Sequence, residues 1–356
     1  MNSKEIRLLF LLKDLNLGGV ERSTLNFANS LIDKIGFIGI VAKSGFFIKN
    51  NAVNSKITVF QNFYGFSNLF LFINNCYKLI KIISQNKINI VHYHFRVFLP
   101  YVLIIKIIKP HIKIVYTHHF LYNDFLNYFL YADKYLAISE SNKNELKKQS
   151  FISRNVDVLE NGINLIAQEE NTNVSTNKLG FVGRFVNIKG LDILVGAFQK
   201  ISINNKNAGL IIRGIGTLDK KLFDEIENNH QILLLKAEID IVNIYKDIEI
   251  LVVPCRDING AGEGLPNIVI LEAMMLKIPV IAAKVAGVNN ILKNNENILF
   301  FEPENINDLI EKILLLQKDT VLFNKLKEQG YETVINHYSL EVIGKKLINY
   351  YLVLLA

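Results

Sequence analysis

The sequence predicts an α/β protein of two domains, each built around a parallel sheet. Short apolar runs alternate with helix-length stretches along the chain, and such alternation implies parallel strands joined by right-handed crossovers. The short runs are nearly continuous in Ile, Val and Leu, which is typical of strands covered on both faces. The chain has 356 residues. Because single cores stop growing near roughly 250–300 residues, two domains are favoured over one.

In the first half, six apolar runs have the composition of buried strands. They are IRLLFLL, GFIGIVAK, KITVF, INIVHYH, KIVYTHH and YLAIS, and the helical stretches between them are LNFANSLIDKI, NLFLFINNCYKLIKIISQN and VFLPYVLIIKIIK. The first run is interpreted as a strand and not a signal peptide, because it is short, meets Lys13 and lacks a small-residue cleavage site. No run reaches the roughly 20 uninterrupted residues of a membrane span, so no transmembrane helix is expected.

A polar segment rich in Asn, Ser and Thr, residues 166–178, is interpreted as a linker. It would join a first domain over residues 1–165 to a second over residues 179–335. The second domain repeats the alternation, with strands KLGFVGR, GLIIRGIG, ILLLK, IEILVVP and PVIAA and helices GLDILVGAFQKI, LFDEIE, IVNIYKD, NIVILEAMM and INDLIEKILLLQ. A last helix within residues 336–356 is compatible with packing on either domain, including a crossing back to the first.

The net charge of +7 suits three classes of partner: nucleic acid, an anionic membrane, or phosphorylated small molecules. No arginine-rich tract or nucleic-acid-binding motif is present, so no nucleic-acid partner is expected. A merely basic soluble protein remains an alternative to membrane binding. The two cysteines, Cys76 and Cys255, lie far apart, which fits a reducing cytoplasm and predicts neither a disulfide framework nor a zinc site.

The most informative segment is residues 255–283, CRDINGAGEGLPNIVILEAMMLKIPVIAA. It reads as a glycine-rich loop carrying Glu263, an apolar helix holding Glu272, and a strand. The amino end of such a helix offers free N–H groups and a dipole that favours anions. A carboxylate inside an apolar run needs hydrogen-bond donors, which sugar hydroxyls can supply. A capped core helix with one hydrogen-bonded glutamate is the alternative.

In the first domain, polar and glycine residues follow the predicted strands. Gly18 and Gly19 follow the first strand, and glycines let a backbone approach a ligand closely, although an ordinary turn has the same composition. Strand alternation places His92 and His94 on one face, and the pair His118 and His119 ends the next strand. No cysteine or acidic residue has a spacing suited to a shared metal, so no metal is predicted. Histidines at adjacent strand ends instead favour a polar cleft.

In the second domain, a strand ends at Gly183-Arg184, and Lys189 follows five positions after the arginine. Two cations at the mouth of a sheet suit a diphosphate, which Arg binds with its planar fork and Lys as a point charge. Two solvated loop cations are the alternative. Gly214 and Gly216 end the next strand and form a second turn of close approach.

These segments together resemble family 4 of the retaining, GT-B-type glycosyltransferases, also called group 1. The matching pieces, in family order, are NLGGVER, INIVHYH, VYTHHF, ADKYLAISES, VLENGIN, FVGRFVNIKGLDILVGAF, RGIGTL, ILVVPC, EGLPNIVILEAMMLKIPVIA and GVNNILKNNENILF. The resemblance covers nearly the whole chain. It implies a GT-B fold of two Rossmann-like, doubly wound parallel-sheet domains facing across a cleft.

The resemblance also implies residue roles. Arg184 and Lys189 match the pair that binds the leaving diphosphate, and His119 matches the histidine that contacts the donor sugar. Glu263 matches the residue that bonds the sugar hydroxyls beside the backbone of Gly264 and Leu265, and Glu272 matches the glutamate that bonds the ribose. The wider donor-binding set is Gly18, Gly19, Gly183, Gly214, Gly216, Pro266 and Asn267. An acceptor-side set is Glu21, His92, His94 and Asn161, the last in the interdomain Asn-Gly turn.

One departure from the family pattern concerns the two glutamates. The family usually places seven residues between them, whereas this chain has eight, Gly264 to Leu271. Because Glu272 is anchored by the Ala-Met that follows, a bulge is expected where the loop meets the helix. The departure leaves a degenerate, non-catalytic nucleotide-binding scaffold as one alternative function, and a nucleotide-sugar 2-epimerase of the same architecture as another.

The function that the resemblance implies is transfer of a sugar, with retention, from a nucleotide diphosphate sugar to a hydroxyl. The donor is expected to be a UDP-sugar, the enzyme to be of the hexosyltransferase type, and no metal or other cofactor is expected. The acceptor is expected to be a glycan or lipid-linked glycan of bacterial surface polysaccharide synthesis, at the cytoplasmic face of the membrane. The aromatic stretch FLYNDFLNYFLYADKY suggests contact with an anionic membrane surface, or core packing of a helix.

Overall fold

A computed structural model describes residues 2–63, 68–119, 129–148, 156–166, 177–236, 238, 240–256, 267–285 and 291–356. The chain divides into two compact units. Unit 1 comprises Met1–Gly162 together with Leu340–Ala356, and unit 2 comprises Ile163–Ser339. Of the predicted linker, residues 167–176 lie outside the described residues.

Unit 1 is built on a parallel sheet, in which seven strands fall within the described residues. The strands are β1 (Arg7–Leu11), β2 (Phe37–Val41), β3 (Thr58–Phe60), β4 (Ile90–Tyr93), β5 (Lys113–His118), β6 (Lys134–Ala137) and β7 (Val156–Val158). Their order is β3-β2-β1-β4-β5-β6-β7, so the direction of winding reverses beside β1. In such sheets, ligands bind beyond the carboxyl ends of the strands at the reversal.

The helices of unit 1 cover both faces of this sheet. They are α1 (Gly19–Leu31), α2 (Phe46–Lys49), α3 (Leu69–Gln85), α4 (Leu99–Ile108), α5 (Glu140–Lys148) and α12 (Leu340–Leu355). The last helix, α12, packs against α1, with Ile343, Leu347 and Tyr351 fully buried. The other face carries α3 and α4, which contact each other. The chain therefore completes unit 1 with its final helix.

Unit 2 repeats this architecture with six parallel strands among the described residues, in the order β10-β9-β8-β11-β12-β13. The strands are β8 (Lys178–Arg184), β9 (Gly209–Ile215), β10 (Ile232–Lys236), β11 (Ile250–Val253), β12 (Val280–Ala283) and β13 (Leu299–Phe301). The helices are α6 (Leu191–Asn204), α7 (Lys220–Glu227), α8 (Ile241–Tyr245), α9 (Ile268–Met275), α10 (Ile306–Lys318) and α11 (Thr320–Thr333). The central strands are buried on both faces, as their apolar runs predict.

The predicted fold class is confirmed, and every predicted strand and helix is present within a few residues. Both ends of α1 differ clearly from the predicted stretch. The helix begins at Gly19, six residues before LNFANSLIDKI, and it stops at Leu31 and not at residue 35, because Asp33 adopts a left-handed φ of 60°. Five elements were not predicted: α2, α5, α11, β7 and β13. The two strands have three residues each, too few to show a period, and α5 buries only Asn142 and Leu146.

The aromatic stretch over residues 120–135 lies partly outside the described residues. In its described part, Leu130 and Tyr135 are buried in the core of unit 1, whereas Phe129 is exposed. Core packing therefore accounts for two of these side chains. Of the helices in the described part of the chain, none is both long and apolar enough to cross a membrane.

Candidate active site

The first candidate group lies at the carboxyl edge of the unit 1 sheet, where Gly18 caps α1 without a side-chain hydrogen bond. The carboxylate of Glu21 folds back over this turn. A methyl group on Gly18 would lie 2.0 Å from Oε2 of Glu21, so no larger residue fits while the glutamate stays there. Gly19, in contrast, has open space around its Cα. The turn therefore combines a helix amino end that has no side-chain cap with one nearby carboxylate.

His92 is fully buried on β4 and has partners on both ring nitrogens. Nδ1 is hydrogen-bonded to the hydroxyl of Tyr351 at 2.7 Å, and Nε2 to the hydroxyl of Thr117 at 2.7 Å. The ring stacks on that of His94, with centroids 4.6 Å apart. The two histidines thus share one face of the strand, as alternation predicts. Burial is the main cause that lowers the pKa of His92 well below its usual range, and the nearby His119 lowers this pKa further.

His94 and His119 are joined directly, since Nδ1 of His94 lies 2.8 Å from Nε2 of His119. Burial lowers the pKa of His94 well below its usual range and that of His119 to about 3. Both rings are therefore neutral near pH 7, and one must donate the shared proton to the other. Among the described residues, Nε2 of His94 has no hydrogen-bond partner although it is buried.

His118 does not join this group, although it is adjacent to His119 in sequence. Its ring lies with Tyr116 and Glu145, at 3.2 Å from the tyrosine hydroxyl and 2.9 Å from the carboxylate. Strand alternation explains the separation, because neighbouring side chains of β5 point to opposite faces. Of the pair that the sequence places at this strand end, only His119 reaches the His92–His94 face.

The Asn-Gly turn at Asn161 is anchored on α1. The Ser23 hydroxyl donates to Oδ1 of Asn161 at 2.6 Å, and the Asn26 amide donates to the carbonyl of Gly162 at 2.7 Å. Asn161 is buried, so its amide serves to hold the turn in place. Sequence reasoning missed Ser23 and Asn26, which lie in the middle of an ordinary amphipathic helix.

In unit 2, glycines lie side by side at the carboxyl ends of β8 and β9. Gly183 and Gly214 are register partners, and a methyl group on Gly214 would lie 1.9 Å from the Gly183 carbonyl oxygen. Gly216 follows with a φ of 126°, which residues with a Cβ rarely adopt. Gly183, Gly214 and Gly216 therefore form a strand-end edge without side chains, the bare backbone edge.

Lys189 lies beside this edge, on the one-turn helix Asn187–Lys189. It is only 8% exposed, and a methyl group on Gly183 would lie 3.9 Å from its Cδ. The turn ends at Gly190, whose φ of 66° and approach to the Pro254 carbonyl leave no room for a Cβ. Arg184 is exposed at the end of β8. The structure thus places a buried and an exposed cation at the same strand end.

Arg256 secures this turn, a role that sequence reasoning missed. Its guanidinium donates to the carbonyl and side-chain oxygens of Asn187 at 2.8 and 2.9 Å, and to both carboxylate oxygens of Asp192 at 2.8 and 2.6 Å. Nε donates to Glu304 at 2.9 Å. Hydrogen bonding from Arg256 lowers the pKa of Asp192 below its usual value. One side chain therefore ties the turn to the start of α6.

Glu272 is buried on α9 and accepts a hydrogen bond from the Tyr245 hydroxyl at 2.8 Å. Asn267 caps this helix through Oδ1, which accepts from the N–H of Ile270 at 3.3 Å. The amide Nδ2 of Asn267 is buried and has no partner within the described part of the chain. Within the described residues, a donor without a partner therefore lies at the amino end of α9, five residues before a carboxylate held by a tyrosine.

Four predicted residues, Glu263, Gly264, Leu265 and Pro266, lie outside the described residues. The expected bulge at the start of α9 also falls there. Within the described ranges, no three His, Cys, Asp or Glu side chains are grouped so that they could hold a metal ion.

Family models match both units. Residues 17–166 match the model described as Glycosyltransferase Family 4, and residues 163–333 match Glycosyl transferases group 1. An uncharacterized glycosyltransferase of Methanocaldococcus jannaschii is 31% identical over 315 residues, which is 79% of this chain and 80% of that protein. The chain belongs to the group 1 glycosyltransferases. The resemblance that its motifs carry is thereby confirmed.

A second relative of the transferase is the capsular polysaccharide biosynthesis glycosyltransferase CapM of Staphylococcus aureus. It is 27% identical over 239 residues, which is 62% of this chain and 61% of CapM.

Solved structures show that the transferase has the GT-B fold. A glycosyltransferase from Rickettsia africae matches with a TM-score of 0.79 at 22% identity, covering 99% of each chain. HepE from Anabaena, solved in complex with UDP and glucose, matches with a TM-score of 0.80 at 17% identity, covering 98% of this chain and 99% of HepE.

Proposed function

We propose that the enzyme is a retaining glycosyltransferase that moves a sugar from a UDP-sugar to a hydroxyl group of a glycan or lipid-linked glycan. The observation that carries the proposal is the cationic turn of unit 2, where Lys189 is buried beside Gly183 and Arg184 ends β8. A bare backbone edge with two cations suits a diphosphate. The HepE complex with UDP supports uracil as the base.

The leaving diphosphate gains charge as its bond to the anomeric carbon breaks. Arg184 and Lys189 stabilise that charge. This stabilisation is the largest electrostatic contribution to catalysis expected in such a site. The bond to the acceptor oxygen forms on the same face, and the departing phosphate oxygen takes the acceptor proton. The proposed step therefore uses neither a protein nucleophile nor a metal. It differs in this respect from the step in glycosidases, which use a pair of carboxylates.

Three further groups contact the donor in this proposal. Glu272 accepts hydrogen bonds from the ribose while Tyr245 holds one of its oxygens, and His119 contacts the sugar. Because the pKa of His119 is about 3, the ring acts as a neutral hydrogen-bonding group. The family resemblance assigns a third role to Glu263, which accepts hydrogen bonds from the sugar hydroxyls.

The acceptor class rests on a relative. CapM is named for capsular polysaccharide biosynthesis, which supports a surface glycan as the acceptor. We place the reaction at the cytoplasmic face of the membrane, where a lipid-linked glycan presents its free hydroxyl.

Thermal-shift titration with UDP, GDP, ADP, CMP and NAD, without added metal, tests the donor site. A ligand at 100 times its Kd stabilises the folded state by about 2.7 kcal/mol. We expect UDP to raise Tm in the wild type and the matched variant Glu328→Gln, an exposed glutamate of unit 2, and to have little effect in Glu272→Gln. Equal shifts in all three proteins would refute the assignment of Glu272.

Proton NMR of the product then tests the reaction. Retention predicts a product with the anomeric configuration of the donor. Inversion would refute the proposed step, and interconversion of the nucleotide sugar without acceptor would identify an epimerase.

A further inference from the structure

The outer surface of α3 and α4 carries large apolar side chains. The α3/α4 face is defined here as Leu69, Phe70, Ile73 and Tyr77 of α3 with Leu103, Ile107 and Ile108 of α4. Among these, Phe70 is 77% exposed, Tyr77 67% and Ile107 80%. Scattered exposed apolar residues are normal, but a contiguous patch marks a site of interaction.

Helix spacing shows that this exposure is patterned. On α3, Phe70, Ile73, Tyr77 and Lys81 follow one another at intervals of three or four residues, so they form one stripe. The core-facing side of the same helix is Asn75, Leu79 and Ile83. The helix is therefore apolar on two sides, and the described residues of its own unit cover only one of them.

The two helices form a single surface. The rings of Phe72 and Tyr101 lie 5.0 Å apart, and the Asn75 amide donates to the Tyr101 hydroxyl at 3.2 Å. Both contacts lie beneath the exposed residues, so they fix α3 beside α4. A partner that binds one helix would meet the other.

The charge of these helices is of one sign. Neither α3 nor α4 contains Asp or Glu, whereas α3 contains Lys78 and Lys81 and α4 is followed by Lys109. Lys106 of α4 is paired with Asp133 at 2.9 Å, so it adds little. Lys81 is exposed directly in line with the apolar stripe.

This combination distinguishes a lipid partner from a protein partner. Lysine is depleted at protein–protein interfaces. Helices that lie in the membrane interface combine Phe, Leu and other apolar residues with lysines whose charged ends remain at the headgroups. Anionic lipids also attract basic residues placed near the surface.

We infer that the α3/α4 face docks the enzyme onto an anionic membrane surface. The helices of a parallel sheet begin at the carboxyl edge of the strands, and α4 begins five residues after His94. Docking through this face brings the lipid surface to the edge that carries His94 and His119. This deepens the proposed function, on which it rests, by making the acceptor a membrane-bound glycolipid.

Co-sedimentation with lipid vesicles tests this docking. We expect the wild type to bind phosphatidylcholine vesicles that contain about one third phosphatidylglycerol. The triple variant Phe70→Ser, Ile73→Ser, Tyr77→Ser should bind about a hundredfold more weakly, because it removes three apolar groups from the lipid. A second variant, Lys78→Gln with Lys81→Gln, should lose the preference for anionic over neutral vesicles.

The matched control is Ile203→Ser, Val321→Ser, Val353→Ser, which removes three apolar side chains of similar exposure elsewhere and should bind as the wild type does. Both triple variants should keep the wild-type Tm, since all six side chains are exposed. Equal vesicle binding by the two triple variants, or no binding by the wild type, overturns the inference. So does light scattering that shows a wild-type dimer which the α3 variant alone converts to a monomer.

The UDP-induced rise in Tm separates this inference from the proposed function. Vesicle binding without a UDP response would leave the docking face intact and refute the donor assignment. A UDP response without vesicle binding would refute the docking face and leave the donor assignment intact.

Discussion

At the scale of single residues, the candidate site consists of buried polar groups that depend on specific neighbours. Glu272 accepts a hydrogen bond from Tyr245, and His92 is hydrogen-bonded to Thr117 and Tyr351. A buried polar group without such a partner costs about 1–3 kcal/mol. These side chains are therefore held in position before any ligand arrives.

Lys189 provides the first prediction at this scale. Lys189→Ala should lower kcat by about 100- to 1,000-fold, as the loss of one transition-state donor does elsewhere, and Arg184→Ala should act similarly. Steady-state kinetics with donor and acceptor would measure both. Lys220→Ala, which removes an exposed lysine of the same unit, is the control and should leave kcat unchanged. If Lys189→Ala and Arg184→Ala turn over at wild-type rates, the diphosphate assignment is wrong.

The buried histidines predict how stability depends on pH. Folding lowers the pKa of His92, His94 and His119 below the unfolded value near 6.5, so the unfolded state binds more protons as pH falls. Stability should be intact above that value and should fall by about 1.4 kcal/mol per pH unit for each histidine below it. For His119 the loss continues down to about pH 3.

Urea unfolding between about pH 7 and pH 4 would measure this loss. His92→Gln should reduce the slope by about one histidine's contribution, whereas His111→Asn, at an exposed position, should leave it unchanged. Identical slopes for His92→Gln and the wild type would show that His92 does not titrate in this way.

At the scale of elements, short turns at strand ends are held by side chains from distant strands. The one-turn helix that carries Lys189 has too few residues to be stable by itself. Arg256, which follows β11, joins this turn to the first turn of α6 through Asn187 and Asp192. We therefore expect Arg256 to be a positioning residue that acts through Lys189.

Arg256→Ala should lower kcat/KM by about tenfold or more, because small displacements of a catalytic group are costly. The effect should vanish in a Lys189→Ala background, since a residue that acts through Lys189 has nothing left to position. A double-mutant cycle of kcat/KM measures this coupling. Lys277→Ala, which breaks an ion pair elsewhere in unit 2, should combine additively with Lys189→Ala. Additive losses for Arg256→Ala would refute the positioning role.

At the scale of the whole molecule, the chain does not divide at a single point. Its last helix, α12, leaves unit 2 in sequence and completes unit 1 against α1. Gly344 allows the close approach, because a methyl group there would lie 2.8 Å from the carbonyl oxygen of Ser30. Unit 1 therefore requires both ends of the chain.

A chain that ends at Ser339 tests this dependence. Loss of Ile343, Leu347 and Tyr351 should expose the apolar face of α1 and remove a partner of His92. At about 2 kcal/mol for each buried side chain, the three losses amount to about 6 kcal/mol. This is comparable to the 5–15 kcal/mol by which a typical domain is stable, so unit 1 should be largely unfolded. Limited proteolysis with mass spectrometry should show rapid cleavage within residues 1–162 and protection of residues 177–333. Equal protection of both units would contradict the prediction.

Much of the fold could be predicted because its signals are local. Continuous apolar strands, helix-length stretches between them and glycines at strand ends each occupy a short window of sequence. The same signals marked Gly183, Lys189, Gly214 and Glu272 as candidate site residues. Three-residue strands such as β7 and β13 were not predicted, because pairing with neighbours and not their own composition makes them strands.

The sequence by itself determined the parallel α/β architecture and the positions where chemistry-bearing residues leave the strands, since both follow from periodicity along the chain. Tertiary structure decided which side chains meet there. It separated His118 from His119, paired His92 with Tyr351 across 259 positions, and brought Arg256 to Asp192 across 64. Such contacts depend on how strands order and helices pack, and no local window of sequence contains that information.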